Sequence, residues 1–341
     1  MSVGFCGLRL AHPVINASGT FDLLAAAAAF GEDALREDFP FAAFVSKTIT
    51  VEPRPGNPAP RLWEAPAGLI NSIGLPNRGL AGYLEQELPA LARLLADAHG
   101  PGEAAPLITN VMGSTAKEIA TLLAACDERP EIAALELNVS CPNVETGLDI
   151  GADPRALREV LGEVRPATRK PLIVKLTPNT ADVAACARAA QEGGADAVSL
   201  INTLRAMALT PVSSPAAARE SDPPRESDPP GVSDPPGVSA VAHRSPSPAP
   251  AARRQPWLGG RTGGLSGPAI RAVALAQVAA AAAAVTIPVI GMGGVQTTAH
   301  ARDLLDAGAT LVAVGTESFR DPAAGVRIAR GLRQAPAPAR A

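Results

Sequence analysis

Short apolar runs recur along the chain, each followed by a longer segment with helical periodicity. The runs fall at 14–18, 43–48, 107–111, 132–137, 172–176, 197–202, 288–291 and 311–315. Helices are expected at about 22–37, 83–98, 115–127, 154–165, 180–192, 267–284, 297–307 and 321–332. The runs are apolar almost throughout instead of alternating, which predicts strands covered on both faces, as in a parallel sheet. Eight such units close into a (β/α)8 TIM barrel, an α/β fold. A doubly wound open sheet is the runner-up, but it normally shows a glycine fingerprint after its first strand. Ser18-Gly19-Thr20 is not one.

Three stretches break the rhythm. Residues 2–13 predict a short hairpin or strand with a capping role. Residues 52–82 are rich in Pro and Gly, too polar and interrupted for regular structure. Residues 211–258 carry Ser-Asp-Pro-Pro three times, from Ser221, Ser227 and Ser233. Such a segment buries too little apolar surface to offset its ordering entropy, which predicts a disordered, low-complexity insertion after strand six. The reading is one domain over 1–341 with that insertion inside it.

Composition narrows the class. Hydrophobic residues make up 47% and aromatics 3%, so small aliphatic side chains must fill the core. The net charge of -3, with no long basic run, argues against nucleic acid as a partner. Cys6, Cys126, Cys141 and Cys186 form no C-x-x-C pair and no spacing with histidine that suits a metal, so none is expected in this chain. They fit a reducing compartment. The opening residues lack the pattern of a signal peptide, and no uninterrupted apolar run reaches the roughly 18 residues of a membrane span. A cytoplasmic, soluble protein is expected, with no membrane association.

Candidate chemistry gathers at strand ends. Ser18, Lys47, Asn110, Asn138, Lys175 and Asn202 each lie at the C-terminal end of an apolar run. In a barrel those ends share one mouth, where barrel enzymes keep their chemistry. Strand four runs into Asn138-Val139-Ser140-Cys141-Pro142-Asn143, a thiol between two amides in a loop stiffened by proline. A free cysteine is more often a small buried hydrophobe. Here the polar neighbours favour a general base or nucleophile. Glu136, two residues before Asn138, points into the barrel and needs a partner, expected to be a lysine or a backbone amide. The four histidines are scattered, and surface or helix-terminus roles are expected for His12, His99, His243 and His300.

Gly291-Met292-Gly293-Gly294 after strand seven and Gly315-Thr316 after strand eight allow close backbone approach to an anion, the usual phosphate site of such barrels. Thr262-Gly263-Gly264-Leu265-Ser266-Gly267 adds another close approach. The phosphate could belong to a flavin, whose reduced ring Lys175 would stabilise, or to the substrate of a lysine Schiff-base enzyme. Cys141 favours the flavin.

Six motifs, in order, carry a family resemblance: 71–77 (NSIGLPN), 138–143 (NVSCPN), 175–179 (KLTPN), 201–203 (INT), 263–268 (GGLSGP) and 291–294 (GMGG). With them the chain resembles dihydroorotate dehydrogenase from about residue 3 to 331, outside 211–258. The cysteine resembles class I, and the overall pattern the B-type catalytic subunit. The resemblance implies an oxidoreductase and flavoprotein of pyrimidine biosynthesis, with one FMN per chain, that converts dihydroorotate to orotate. It implies that Cys141 takes the proton from C5 while hydride passes from C6 to the flavin. It assigns Lys47, Asn71, Ser72, Ile73, Gly74, Leu75, Asn138, Asn202 and Thr203 to the substrate. It assigns Ser18, Lys47, Thr48, Asn110, Asn138, Lys175, Ile201, Gly267, Gly293, Gly294, Gly315 and Thr316 to FMN.

The resemblance also implies a partner, an iron–sulfur flavoprotein carrying FAD and the cluster, in a heterotetramer of two catalytic and two electron-transfer chains that reduces NAD. Four other readings stay open at this stage. They are a fumarate-dependent dihydroorotate dehydrogenase, another FMN barrel acting on dihydropyrimidines, a Schiff-base lyase or isomerase, and a non-catalytic scaffold.

Overall fold

The structure, a computed structural model, describes residues 2–100, 102–140, 150–210 and 254–334. In chain order the strands are β1 (Val3–Phe5), β2 (Leu8–Leu10), β3 (Val14–Asn16), β4 (Phe44–Val45), β5 (Leu62–Ala65), β6 (Gly68–Asn71) and β7 (Leu107–Val111). They continue with β8 (Ile132–Asn138), β9 (Leu172–Lys175), β10 (Ala197–Leu200), β11 (Leu204–Ala206), β12 (Gly263–Ser266), β13 (Val289–Met292) and β14 (Leu311–Val314). Eight of them pair in the order β3-β14-β13-β10-β9-β8-β7-β4, every pair parallel.

The barrel closes where β4 returns to β3. With only two residues in β4, a side chain completes the seam: the Asn16 amide donates to Val45 O (2.7 Å) and accepts from Val45 N (2.8 Å). Ala42 N adds a backbone bond to Val14 O (2.8 Å). Asn16 thereby satisfies buried backbone groups that would be costly to leave unpaired.

The helices are α1 (Leu23–Phe30), α2 (Glu32–Glu37), α3 (Gly79–Gly82), α4 (Leu88–Leu95), α5 (Ala116–Asp127), α6 (Pro154–Val164), α7 (Val183–Glu192), α8 (Arg271–Ala284), α9 (Thr298–Asp306) and α10 (Ala324–Gln334). Each of the eight expected segments holds a helix, with 22–37 split into α1 and α2, while α3 lies in the 52–82 stretch where no regular structure was expected. A single π-helical turn, Tyr83–Glu87, joins α3 to α4 and buries Tyr83, whose hydroxyl meets Thr109 Oγ1 at 2.7 Å. Side chains of Asp22, Thr115, Asp153, Asp182 and Thr297 cap α1, α5, α6, α7 and α9. Among the described residues no helix is long and apolar enough to cross a membrane.

Strand alternation sorts the core into two shells. Outward residues such as Leu107, Leu135, Leu137, Val174, Val198 and Val312 pack against the helices. Inward residues Ile15, Ile108, Ala134, Ile173, Ala197, Ile290 and Leu311 form a separate interior cluster with Phe5 and Leu10. The β1–β2 hairpin therefore plugs the N-terminal end of the barrel, which gives the capping segment expected at 2–13 its place.

The second sheet corrects the reading of 52–82. Antiparallel strands in the order β11-β12-β6-β5 form a four-stranded sheet, with Asn71 opposite Gly264 and Leu204 opposite Leu265. Ile70, Ala208 and Leu258 form its small core, beside an edge-on contact of Trp63 and Trp257 at 5.5 Å. Residues 254–258, read from sequence as the end of the insertion, belong to this packing. Thr210 N bonds Gln255 O at 2.8 Å, and Leu258 is buried. Residues 211–253 lie outside the described residues.

Candidate active site

Two residues beyond the apolar interior layer, the same inward positions turn polar. Ile108 is followed by Asn110, Ala134 by Glu136, Ile173 by Lys175 and Ala197 by Ser199. All four polar residues are buried. Glu136, 2% exposed, gathers the others: it accepts from Asn110 Nδ2 at 2.5 Å and from Ser199 Oγ at 2.8 Å. Lys175 Nζ stands 3.9 Å from the same carboxylate. The lysine expected as its partner is thus present. Among the described residues, Asn110 Oδ1 is buried and has no hydrogen-bond partner. Ser46 supports this layer from β4's end, where its Oγ accepts from Asn110 N at 3.0 Å.

Above this layer two amides meet. Asn202 Nδ2 donates to Asn138 Oδ1 (3.3 Å) and Ser140 Oγ (2.9 Å), and Asn138 Oδ1 also accepts from Ser140 N (3.1 Å). Asn202 Oδ1 accepts from Thr203 N at 2.9 Å, and Thr203 O accepts from Asn179 Nδ2 at 3.1 Å. Asn71, at the end of β6, donates to Gly264 O at 3.2 Å. The chain beyond it turns through Gly74 (φ +76°) and Leu75 (φ +54°). Asn77 holds that turn by donating to Leu75 O at 2.9 Å. Ser72, buried, accepts from Asn57 Nδ2 at 3.0 Å.

A third group of residues forms a backbone cradle. Gly267 (φ +87°), Gly293 (φ +130°) and Gly294 (φ +67°) sit where L side chains rarely fit. A Cβ on Gly294 would lie 2.7 Å from Arg271 Cβ and 3.0 Å from Gly267 O, so the loops after β12 and β13 touch. Thr316 Oγ1 donates to Ser266 Oγ at 2.8 Å and ties in the loop after β14. The first turn of α8 lies against these glycines and continues a 3-10 turn, Pro268–Ile270, in which the N–H groups of Ala269, Ile270 and Arg271 bond Ala67 O, Gly267 O and Pro268 O. Ile201, buried, lines the same corner.

The predicted residues thus divide. Asn110, Asn138, Lys175 and Asn202 come together, and Gly267, Gly293, Gly294 and Thr316 form the cradle. Ser18 holds the rim by donating to Ser46 O at 2.8 Å, and Thr48, two residues beyond Ser46, is buried. Lys47 does not join the cluster: its ammonium pairs with Asp22 and is half exposed. Burial works to raise the Asp22 carboxyl, but Lys47 and the amides of Ala25 and Leu24 outweigh it and hold it below its ordinary value. Cys141 and the loop to residue 149 lie outside the described residues. Sequence reasoning missed Ser199 and Ser46; alternation along strand six pointed at Ser199, whereas Ser46 carried no signal. It also misjudged His12, which is buried at the opposite end of the barrel.

Comparison with known proteins completes the picture. A family model described as dihydroorotate dehydrogenase matches residues 1–221 and 249–335, breaking inside the proline-rich insertion. A protein of Pelobacter propionicus named dihydroorotate dehydrogenase B (NAD(+)), catalytic subunit, is 39% identical over 98% of this chain and 92% of its own. Proteins of the same name from Trichlorobacter lovleyi and Geobacter metallireducens are 39% and 38% identical, each over 98% of this chain and 92% of their own. With the match running through every barrel strand, the chain belongs to the dihydroorotate dehydrogenase family.

Proposed function

We propose that this chain is the catalytic subunit of an NAD-linked dihydroorotate dehydrogenase, oxidising dihydroorotate to orotate in pyrimidine biosynthesis with one FMN bound. The observation that carries the reading is the buried layer of Asn110, Glu136, Lys175 and Ser199 beneath the paired amides of Asn138 and Asn202. Among the described residues this layer buries an ammonium and leaves the Asn110 amide oxygen without a partner, and such groups are costly to bury unless a ligand satisfies them.

The donor set fits a flavin. Asn110 Oδ1 offers an acceptor to an N–H, and Lys175 offers positive charge where negative charge develops. Gly267, Gly293, Gly294, Gly315 and Thr316, where glycine backbone lets an anion approach closely, suit the phosphate. Bound FMN supplies the two-electron acceptor. The protein supplies the rest. Cys141 takes the proton from the substrate, and cysteine thiols in general titrate close enough to neutral pH to serve as a base. Asn71 to Leu75, Asn138, Asn202 and Thr203 hold the amide edges of the pyrimidine, each asparagine offering a donor and an acceptor. Lys47 answers the carboxylate.

The unit is one barrel spanning both sides of the insertion, 1–341. The relatives' name, catalytic subunit with NAD(+), supports a separate electron-transfer chain. We read that chain as the carrier of FAD and an iron–sulfur cluster, in a two-plus-two heterotetramer.

The test is spectroscopic. Purified protein should be yellow and bleach anaerobically with dihydroorotate but not with dihydrouracil. A colourless protein that borohydride traps covalently on its substrate would overturn the reading.

A further inference from the structure

Among the described residues Glu136 is the one carboxylate in the interior polar layer, and its partners are residues of the proposed flavin site. Its Oε1 accepts from Asn110 Nδ2 and faces Lys175 Nζ, while Oε2 accepts from Ser199. A buried carboxylate–ammonium pair is weak evidence for stability, because desolvating both charges offsets their attraction. Its retention here therefore calls for another explanation.

The hydrogen bonds supply one. A carboxylate can only accept, so the Asn110 amide is fixed with its nitrogen toward Glu136. Turning the amide over would set two oxygens 2.5 Å apart. Asn110 Oδ1 is thereby forced away from Glu136 and left buried without a partner among the described residues. The same carboxylate neutralises Lys175, only 7% of whose side chain is exposed, and holds its ammonium on the inner face of β9. Ser199 fixes the second oxygen, so the carboxylate cannot rotate to release either partner.

We infer that Glu136 is the positioning residue of the cofactor site: it orients Asn110 as an acceptor and Lys175 as a cation toward a ligand that presents an N–H donor beside a centre of negative charge. The inference rests on the flavin reading and adds the residue that sets the polarity of its pocket. Glu136 itself touches neither cofactor nor substrate.

The test is a double-mutant cycle on FMN affinity, read by the quenching of FMN fluorescence on binding, without substrate or turnover. The proteins are wild type, Glu136→Gln, Lys175→Met and the double variant. Each single substitution is expected to weaken FMN binding about tenfold, the scale of one lost hydrogen bond to a charged group. If Glu136 acts through Lys175, the double variant binds within about twofold of the weaker single one. Losses that multiply to about a hundredfold overturn the inference, as does a Glu136→Gln protein that binds FMN like wild type. A lowered thermal midpoint with unchanged affinity would reduce Glu136 to a structural role and overturn it equally.

Should Glu136→Gln fail to fold, Ser199→Ala reads the same network, because Ser199 is fully buried and its hydroxyl donates to Glu136. The expected loss there is about threefold, because only one of the bonds that hold Glu136 is removed and the effect reaches the flavin at second hand, and unchanged affinity overturns the inference. Wild-type protein that does not bind FMN at all instead rejects the flavin reading, and the inference falls with it.

Discussion

The two ends of the barrel are built on the same inward positions, two residues apart, yet they do opposite work. At the N-terminal end Ile108, Ile173, Ala197 and Leu311 are sealed by Phe5 and Leu10 of the leading hairpin. Roughly 6–7 Å further along the strands stand Asn110, Glu136, Lys175 and Ser199, bonded to one another. The lower layer gains free energy by excluding water. The upper one gives some up by burying charge, and recovers function. A substitution in one layer should therefore move one property and spare the other.

The largest separation is expected at Cys141. Cys141→Ser should slow reduction of the bound flavin by dihydroorotate about a hundredfold or more near neutral pH, the range of a lost general base. The thermal midpoint and FMN affinity should stay as in wild type. Stopped-flow absorbance checks the rate, and reduction at the wild-type rate would remove Cys141 from its role.

The converse change is Phe5→Ala in the plug. Phe5 is 1% exposed, and truncating a buried phenylalanine costs about 3–5 kcal/mol. Denaturant unfolding should show that loss, while flavin reduction per folded molecule stays unchanged. A matching loss of turnover in the folded fraction would mean that the two layers are coupled after all.

His12 tests the same lower end by pH. It is 5% exposed, its Nδ1 accepts from Val14 N at 3.3 Å, and its ring meets His99 edge-on at 6.4 Å. Burial, with Arg333 and His99 nearby, pulls its pKa from 6.5 down to about 4. Below pH 6.5 the unfolded chain takes up the proton and the folded one does not, so stability falls as pH drops from 6.5 to about 4 and levels off below. The contribution reaches about 3 kcal/mol at most. Against a His12→Gln variant, the wild-type stability difference should shrink over that window. A difference constant with pH would show that His12 carries no such linkage.

The upper layer was largely legible in the sequence because a barrel strand reports its own geometry. An apolar run that ends in Asn110, Asn138, Lys175 or Asn202 names the mouth residues, and alternation from Asn138 back to Glu136 names the inward carboxylate. The β5–β6 hairpin was not legible. Its partner strand lies far along the chain, with Asn71 opposite Gly264, and Pro and Gly conceal the alternation. Asn16 closing the barrel seam was equally hidden, because its role exists only once β4 has returned to β3. Nor did His12 announce its burial: it lies in the bend between β2 and β3, and His99, whose ring it meets, comes from far along the chain.

Lys47 is the residue for which strand position was right and direction was not given by sequence, and it sets the smallest prediction. It stands on the rim, but its ammonium is held by Asp22, which also caps α1 by accepting from Ala25 N at 3.1 Å. Asp22→Asn separates these roles: asparagine caps a helix as well as aspartate, but it cannot form the ion pair. Both partners are about half exposed, so the pair contributes no more than about 1 kcal/mol, and stability should change by that or less. Under the proposed function Asp22 competes with the substrate carboxylate for Lys47. Removing that competitor should lower KM for dihydroorotate by up to about fivefold, the affinity equivalent of 1 kcal/mol, and leave kcat unchanged. Initial-rate kinetics on the two proteins would settle the direction. A raised KM would mean that Asp22 positions the lysine for substrate, and the rim would then share the feature that distinguishes the layer beneath it, a carboxylate that orients a cation.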